Sequence, residues 1–568
     1  MAHMTMSSVP GGERWSRTGY GSRVALLVVW AVIGLTGCSG STTPLPVTST
    51  VAAATPVPFT ATAVTRETAA TTPGERLVPT TPRATATAGL RATAAVPTPT
   101  ATFTVLATAP PTPLPVPSPT VTSTATVSVT TGQITIATYP YRAFQRDVTD
   151  PAFNWTWPML DRAAYLATQP QPAPQTYRQL VMQNDHLRVS VLPELGGRLY
   201  EIVHKPSGHN LLYNNPVLKP SPWGPPPYDG LEAGWLAAGG VEWGLPVAEH
   251  GYAWGTPWGY DSLHFSDQEA TITVFQQPKG RLQISTDISL LADEAALTLR
   301  TRLSNPTDQG VDFSYWLNAM VAPGGQNRPS PALHFILPAN AVTIHSTGDP
   351  DLPAAGEAMP WPQYRDRDLS RLANWHQYLG VFARPAMRAG FMGVYDTEAD
   401  EGLVRIFPPD VMPGAKLFAL GGSDPIAPAT YTDDGSSYVE MQGGLAPTFA
   451  DTVHLGPEQS LYWEETWYPV TGIDDVVYAD QLGALNLQMT PVGLRVLFYP
   501  VRRVTGELTL TVAGTAVTVL PADLQPTRPF IQTIPLPPDR PDRGVVAVQI
   551  LTGEEQPVFQ FQQEMALR

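Results

Sequence analysis

The chain has 568 residues, of which 61 are proline, 34 are basic and 49 are acidic, so its formal net charge is −15. This charge argues against a nucleic-acid-binding protein, which normally carries a basic surface. A single cysteine excludes a disulfide framework and any zinc or iron–sulfur site built from cysteines. The proline content favours loop-rich β structure with disordered segments over a helical bundle.

The N-terminus has the features of an export signal. Arginines precede an uncharged apolar run at 24–34, which at 11 residues is too short to cross a bilayer, since crossing takes about 20. The following sequence LTGC, which ends at Cys38, resembles the bacterial lipoprotein signal-peptidase box. The sequence therefore predicts a signal peptide at 1–37 and a lipid on Cys38 that anchors the protein to a membrane of the cell envelope, facing away from the cytoplasm. A plain signal peptide with a chance cysteine is the alternative.

A linker separates this anchor from the folded part. Ser, Thr, Pro and Ala make up 64 of the 90 residues from 41 to 130. Such a segment buries too little apolar surface to offset the entropy of ordering it. We therefore predict a disordered stalk at 38–130.

Period-two alternation of apolar residues marks β-strands beyond residue 131. Two such stretches, 282–290 and 297–303, predict a hairpin, and a helix is expected only near 369–376, with Asp368 as its N-cap. Shorter strands follow residue 472. The expected fold is all-β, with a large domain at 131–472 and a small accessory β-sandwich at 473–568.

Seven sequence blocks keep their order along the large domain: TYPY at 138–141, WPMLD at 157–161, LRVSVLPELGGRLY at 187–200, LYNNPVLKP at 212–220, GGVEWGLP at 239–246, YVEMQGG at 438–444 and WYP at 467–469. Together they resemble a bacterial family, domain of unknown function 5107, of the galactose mutarotase-like superfamily. The resemblance implies an antiparallel β-supersandwich of two large sheets, with a sugar bound on a concave face.

The segment 223–258 is rich in glycine, proline and aromatic residues, which indicates loops, where binding sites concentrate. Flat rings can stack on sugars and interleaved carboxylates can accept hydrogen bonds from hydroxyls, so we predict a carbohydrate site here. The alternative is that the rings fill a loop-covered core. The candidate substrate-binding residues include four tryptophans of this segment and three polar residues elsewhere: Trp235, Trp243, Trp254, Trp258, Arg198, Asn318 and Gln442.

Glu440 is the candidate catalytic base. The sequence Glu440-Met-Gln442 resembles the Glu-x-Gln pattern of mutarotases, in which the glutamate takes the proton of the anomeric hydroxyl. Strand alternation predicts that Tyr438, Glu440 and Gln442 share one face and that Val439 and Met441 occupy the other. The alternative is the ordinary solvent face of an edge strand.

The histidine that serves mutarotases as general acid has no counterpart here, because Asn318 occupies the nearest equivalent stretch. An acid must then come from Glu242, His250 or Glu249. A second carboxylate would suit glycoside cleavage. Glu464 and Glu465 form a weaker candidate pair, since neighbours on a strand point to opposite faces.

These residues predict an exported lipoprotein whose large domain binds carbohydrate and acts on a sugar or glycan by acid–base chemistry. Two alternatives stay open: a non-catalytic glycan-capture protein and a structural envelope protein. No metal-ligand or phosphate-loop spacing is present in the sequence, so we expect no metal and no cofactor. We expect a monomer with no nucleic-acid partner.

Overall fold

A computed structural model describes residues 103–104 and 125–567, except 225–226, 228, 386, 388, 421–427 and 554–556; only the backbone is described for 103–104 and 264–265. These residues belong to one compact unit. The predicted signal peptide, Cys38 and most of the predicted stalk lie outside them. Within the described part of the chain, no helix has both the length and the apolar character that crossing a membrane requires.

A 13-stranded sheet forms the first layer of the fold. Its neighbouring strands are antiparallel except for one short parallel edge pair, between 128–138 and 217–218. In spatial order its strands are Ala358–Pro360, Ala341–Thr347, Leu379–Phe382, Gly414–Ala419, Val439–Gly444, Trp316–Val321, Gly240–Gly244, Arg198–His204, Leu187–Leu192, Ala173–Gln183, Ser128–Thr138 and Val217–Leu218, with His209–Asn210 paired to Arg198–His204.

An eight-stranded antiparallel sheet forms the second layer. In spatial order its strands are Gly259–Ser266, Glu269–Gln276, Gln283–Leu291, Leu297–Ser304, Ser460–Thr471, Glu401–Ile406, Phe391–Asp396 and Leu333–Ile336. Apolar side chains from the facing surfaces of both sheets form one buried cluster, to which Val439 and Met441 contribute from the first sheet and Ile288 and Leu299 from the second. The predicted all-β supersandwich is confirmed.

The hairpin predicted near 282–303 is present. Strand Gln283–Leu291 pairs with Leu297–Ser304 in continuous antiparallel register. Its alternating apolar residues, Ile288 and Leu299 among them, point into the core between the sheets.

The helix predicted after Asp368 is wrong. Only a 3₁₀ turn, Leu372–Asn374, forms there, because the carboxylate of Asp368 accepts hydrogen bonds from the backbone N–H and the hydroxyl of Ser370 and so closes a local turn. An α-helix occurs instead at Arg162–Ala167, where Asp161 caps the first turn. The other 3₁₀ helices described are Tyr141–Phe144, Pro193–Leu195 and Pro428–Thr430.

Two four-stranded sheets at the C-terminus enclose their own apolar cluster, as expected for a small sandwich. Their strands are Tyr478–Ala479, Gly483–Thr490, Gly493–Pro500 and Phe530–Ile534 in one sheet and Thr515–Leu524, Val504–Val512, Arg543–Thr552 and Pro557–Ala566 in the other. A further apolar cluster, containing Tyr468 and Val470 from the eight-stranded sheet and Leu497 and Tyr499 from the C-terminal strands, joins the sandwich to the larger layers.

Three small sheets complete the described structure: Phe103–Thr104 with Val453–Leu455 and Val311–Phe313, Gln145–Asp150 with Trp155–Leu160, and Gln363–Tyr364 with Arg367–Asp368. Two of the strands begin inside the predicted stalk. Phe103–Thr104 pairs in parallel with Val453–His454, and Ser128–Thr138 starts before residue 131. The domain boundaries at 130 and 472 remain predictions.

A buried ion pair lies between the two large sheets. The Arg405 guanidinium donates from Nε to Glu465 at 2.5 Å, and both side chains are fully buried. Trp463 Nε1 donates to the same carboxylate at 3.1 Å. A Cβ on Gly443, in the strand that carries Glu440, would lie 2.1 Å from Arg405 Nη2, so only glycine fits above the guanidinium.

We expect Arg405→Met alone to lower the free energy of unfolding by about 3–5 kcal/mol, because the charge of Glu465 is then buried without a partner. The double variant Arg405→Met with Glu465→Leu should recover most of this loss, because no lone charge remains. Urea unfolding checks both results. Arg300 and Glu464 form an exposed pair, and removing it should cost about 0–1 kcal/mol. A double variant no more stable than Arg405→Met would contradict this account.

Candidate functional site

Polar side chains form a row across the outer face of the 13-stranded sheet, opposite the core between the sheets. The strand register aligns Glu242 with Asn318, Asn318 with Gln442, and Gln442 with Lys416. Directly paired residues point to the same face, so these four side chains are neighbours. Glu440 lies two residues before Gln442 on the same strand and points to the same face. Val439 and Met441 point into the core, as the alternation predicted.

Glu440 is surrounded by three donors. Asn318 Nδ2 donates to Glu440 Oε1 at 3.3 Å and Gln442 Nε2 donates to Oε2 at 2.7 Å. Lys416 Nζ lies 3.7 Å from Oε2. Glu440 is only 5% exposed, so the sheet presents a carboxylate that is shielded from solvent and held in one orientation.

Glu242 is the centre of a second cluster. Arg198 Nη2 donates to its Oε2 at 3.0 Å, His250 Nδ1 lies 2.5 Å from its Oε1, and Trp235 Nε1 is 3.2 Å from both oxygens. The Trp235 ring also stacks on the imidazole at 4.0 Å between ring centroids. His250 Nε2 makes no hydrogen bond to the described residues and is the free end of this carboxylate–histidine pair.

Glycine is required where the strands of this cluster meet. Gly240 has φ +69°, and a Cβ there would lie 2.4 Å from the carbonyl oxygen of Leu199 and 3.2 Å from Arg198 Cγ. The glycine therefore allows the arginine side chain to pass close to the neighbouring strand and reach Glu242.

Burial and the neighbouring charges act in opposite directions on this pair. Burial raises the pKa of Glu242, but the charge and hydrogen bond of His250, with the charge of Arg198, outweigh it and hold that pKa below its ordinary value. Burial lowers the pKa of His250, but Glu242, Glu249 and Glu440 outweigh it and raise that pKa. These shifts favour the carboxylate form of Glu242 and the imidazolium form of His250, so His250 is the better proton donor of the two.

Sequence reasoning missed two residues at the far end of the row. Lys416 is buried, with Nζ 4.9 Å from the centroid of the Phe449 ring. His345 lies nearby, and burial together with the charge of Lys416 lowers its pKa to about 3. A lone lysine inside the apolar strand sequence GAKLFA was the signal for the first. Glu249, a predicted candidate acid, is half-buried. Burial raises its pKa, but the charges of His250, Lys416 and His345 outweigh burial and hold that pKa below its ordinary value.

The structure separates the four predicted tryptophans. Trp235 and Trp254 lie on the side of the polar row, and the Trp254 carbonyl oxygen accepts a hydrogen bond from Arg198 at 3.4 Å. Trp243 and Trp258 lie in the core between the sheets, so they do not reach the candidate site. Strand alternation turns Trp243 away from Glu242. None of the four is more than 4% exposed, so the predicted open stacking platform is not present at these residues.

Glu464 and Glu465 are also outside the site. Glu465 points into the core and pairs with Arg405, whereas Glu464 points to solvent and pairs with Arg300. The expectation that they face opposite sides is correct, and neither faces the polar row.

Three buried polar atoms of the site have no hydrogen-bond partner in the described structure: Asn318 Oδ1, Gln442 Oε1 and Arg198 Nε. Buried polar groups are nearly always paired, and leaving one unpaired costs about 1–3 kcal/mol. The two amide oxygens are acceptors next to the carboxylate of Glu440. A ligand with hydroxyl groups, which can donate hydrogen bonds, would satisfy both.

The fold is a two-layer antiparallel β-sandwich that carries a row of buried polar residues on the outer face of its larger sheet. The family described as a domain of unknown function (DUF5107) matches residues 156–470, more than half of the chain. The chain belongs to this family.

Several solved structures are similar to parts of this chain. A TPR-domain containing protein from Parabacteroides distasonis is 20% identical with a TM-score of 0.51, over 64% of this chain and 58% of that one, so this chain spans less than two thirds of it. A galactose mutarotase-like protein from Clostridium acetobutylicum is 11% identical with a TM-score of 0.38, over 52% of this chain and 96% of that one. A galactose mutarotase related enzyme from Lactobacillus acidophilus is 9% identical with a TM-score of 0.33, over 53% and 100%.

The Glu242–His250 pair predicts a pH optimum of stability. Folding raises the pKa of His250, so its contribution is complete below the ordinary imidazole pKa of about 6.5 and is lost as the pH rises through the raised value. Folding lowers the pKa of Glu242, so its contribution is complete above about pH 4.3 and is lost as the pH falls through the lowered value. We expect His250→Gln to lower Tm most between about pH 5 and pH 6 and less at both extremes.

Thermal unfolding followed by circular dichroism over the accessible pH range measures this difference. His454→Gln is the matched control, because His454 pairs with Asp312 at the protein surface. A Tm difference for His250→Gln that stays constant with pH would contradict the prediction.

Proposed function

We propose that this protein binds a sugar on the outer face of its 13-stranded sheet and catalyses acid–base chemistry at the anomeric carbon. The observation that carries the proposal is the placement of the Glu440 carboxylate and the His250 imidazolium on the same face, with unpaired amide oxygens of Asn318 and Gln442 between the two clusters. The family fold supports a sugar ligand.

Glu440 acts as the base in this proposal. Its strand is two strands from that of Glu242, a separation of roughly 10 Å between backbones. Glu440 takes the proton of the anomeric hydroxyl while the sugar hydroxyls donate to the two amide oxygens.

His250 acts as the acid. Its imidazolium donates the Nε2 proton to the ring oxygen as the bond from that oxygen to the anomeric carbon breaks, and Glu242 holds the imidazole through Nδ1. With a glycoside, which has no anomeric hydroxyl, His250 protonates the departing oxygen while Glu440 takes a proton from the water that attacks the anomeric carbon. His250 therefore supplies the general acid that a histidine provides in mutarotases, since Asn318 occupies the nearest equivalent stretch of this chain. Glu242 is a positioning residue, because its pairing with Arg198 keeps it ionised.

The test compares the full chain carrying Cys38→Ser with its Glu440→Gln and His250→Gln variants on a panel of aldoses and oligosaccharides. Anomer exchange is followed by NMR, hydrolysis by product analysis and binding by tryptophan fluorescence. We expect each variant to lower turnover by about 100-fold or more while binding changes little.

Glu464→Gln is the control, because Glu464 is exposed on the other sheet and should leave turnover unchanged. Binding without turnover in the unsubstituted chain would refute catalysis and would identify a glycan-capture protein. No binding to any sugar would refute the whole proposal.

We further propose that Cys38 carries the lipid that anchors the chain to a membrane of the cell envelope. The proposal is supported by the apolar run at 24–34 and by the position of the single cysteine directly after it. We expect labelled palmitate to be incorporated into the chain in a bacterial host and the protein to fractionate with membranes. Cys38→Ser should abolish both results, and label retained by that variant would contradict the proposal.

A further inference from the structure

Two adjoining cavities lie where the strands Gln283–Leu291, Leu297–Ser304 and Ser460–Thr471 begin or end, away from the polar row. One, of about 270 Å³, is lined in part by Phe153, Asn154 and Arg281. The other, of about 350 Å³, is lined in part by Gln283 and Arg302. Asn305 lines both. Taken together their volumes fall within the range of roughly 300–1,000 Å³ that small-molecule sites occupy.

The guanidinium in the first cavity has no acidic partner. Arg281 stacks on the Trp155 ring, with Cζ 3.3 Å from the ring centroid, and Nη2 donates to Gln276 at 3.1 Å. Its Nη1 is buried without a hydrogen-bond partner. Burial lowers the pKa of Arg281 to about 10. Asp308 lines the same cavity but is exposed and forms no ion pair with Arg281 in the described structure.

The second cavity contains Arg302, and its lining includes one acidic residue, Glu458, which is exposed. Arg302 donates to the hydroxyls of Ser304 and Ser460 at 3.0 and 3.3 Å and lies over the exposed ring of Tyr462, 5.2 Å from its centroid. No ion pair of Arg302 occurs among the described residues. The contrast is Arg300 on the same strand, which pairs with Glu464 at 2.8 Å.

The rest of the lining suits hydroxyl groups. Carboxamides and hydroxyls supply donors and acceptors along both cavities: Gln277, Gln283, Ser285, Ser304, Asn305 and Gln309. A chain with net charge −15 repels anions at long range, so an anion must be held by local contacts. Two unpaired guanidinium groups supply such contacts, because each can bind a planar oxyanion through two N–H donors.

We propose that these cavities form a second glycan site, which binds an oligosaccharide carrying anionic groups through Arg281 and Arg302. An oxyanion on one sugar supplies the acceptor that Arg281 lacks, and an oxyanion on a neighbouring sugar reaches Arg302. Carboxylate and sulfate groups share this chemistry. The site does not depend on the proposed catalysis at Glu440, since it is built from the other sheet.

The test measures binding of trigalacturonate, its fully methyl-esterified neutral form and a sulfated trisaccharide to the full chain carrying Cys38→Ser, by isothermal titration calorimetry at low salt. We expect trigalacturonate or the sulfated trisaccharide to bind and the neutral ester to bind about 10-fold or more weakly. Whichever charged probe binds more tightly identifies the anion. Equal binding of the ester, or no binding of either charged probe, would overturn the proposal.

Three variants and one control variant localise the binding. Arg281→Gln and Arg302→Gln should each weaken it about 10-fold or more, and Arg281→Lys should restore only part of the loss because lysine lacks the planar fork. Arg300→Gln removes one positive charge nearby and should change nothing. Equal weakening by Arg300→Gln would show general electrostatic attraction and refute a built site. Arg302→Gln, whose side chain is exposed, keeps the test valid if Arg281→Gln fails to fold.

Discussion

The buried carboxylate of Glu242 is the charged group on which the candidate site depends. A lone carboxylate in this position would be strongly destabilising, and here Arg198, His250 and the Trp235 indole together satisfy it. Each partner comes from a different part of the chain: Arg198 begins a strand, and His250 and Trp235 lie in two separate loops. Their contacts with the carboxylate therefore also hold these three segments in place. The orientation of His250, and with it any proton transfer, follows from this requirement.

A second buried ion pair, Arg405 with Glu465, supports the site from the opposite face. It lies in the core directly beneath Gly443, three residues from Glu440 in the same strand. The two pairs are therefore on either side of one sheet, one between the layers and the other on the outer face. The distance between the two large sheets and the position of the candidate base, Glu440, therefore depend on each other.

Period-two patterns made the fold largely predictable, since each strand places its apolar residues on the core side, and the face shared by Glu440 and Gln442 followed from the same rule. The tryptophans were less predictable. Neighbouring residues on a strand point to opposite faces, so Trp243 points to the core while Glu242 points to the outer face. Trp258 lies in a loop, whose path no periodicity specifies. Lys416 lies on the strand that precedes and pairs with that of Glu440. His345 is three strands from Glu440 in the sheet, and its approach to Lys416 depends on sheet order, which a single sequence does not reveal.

The candidate base and its amide neighbours lie on central strands, whereas Trp235 lies on the connection before strand Gly240–Gly244 and His250 on the connection after it. Strand spacing cannot change without repacking both layers, but a covering loop can lengthen or change composition at little cost to the core. Proteins built this way can therefore diversify by changing the loop side of the site, altering which ligand is admitted and which proton donor is present, while the strand carboxylate stays in the same position.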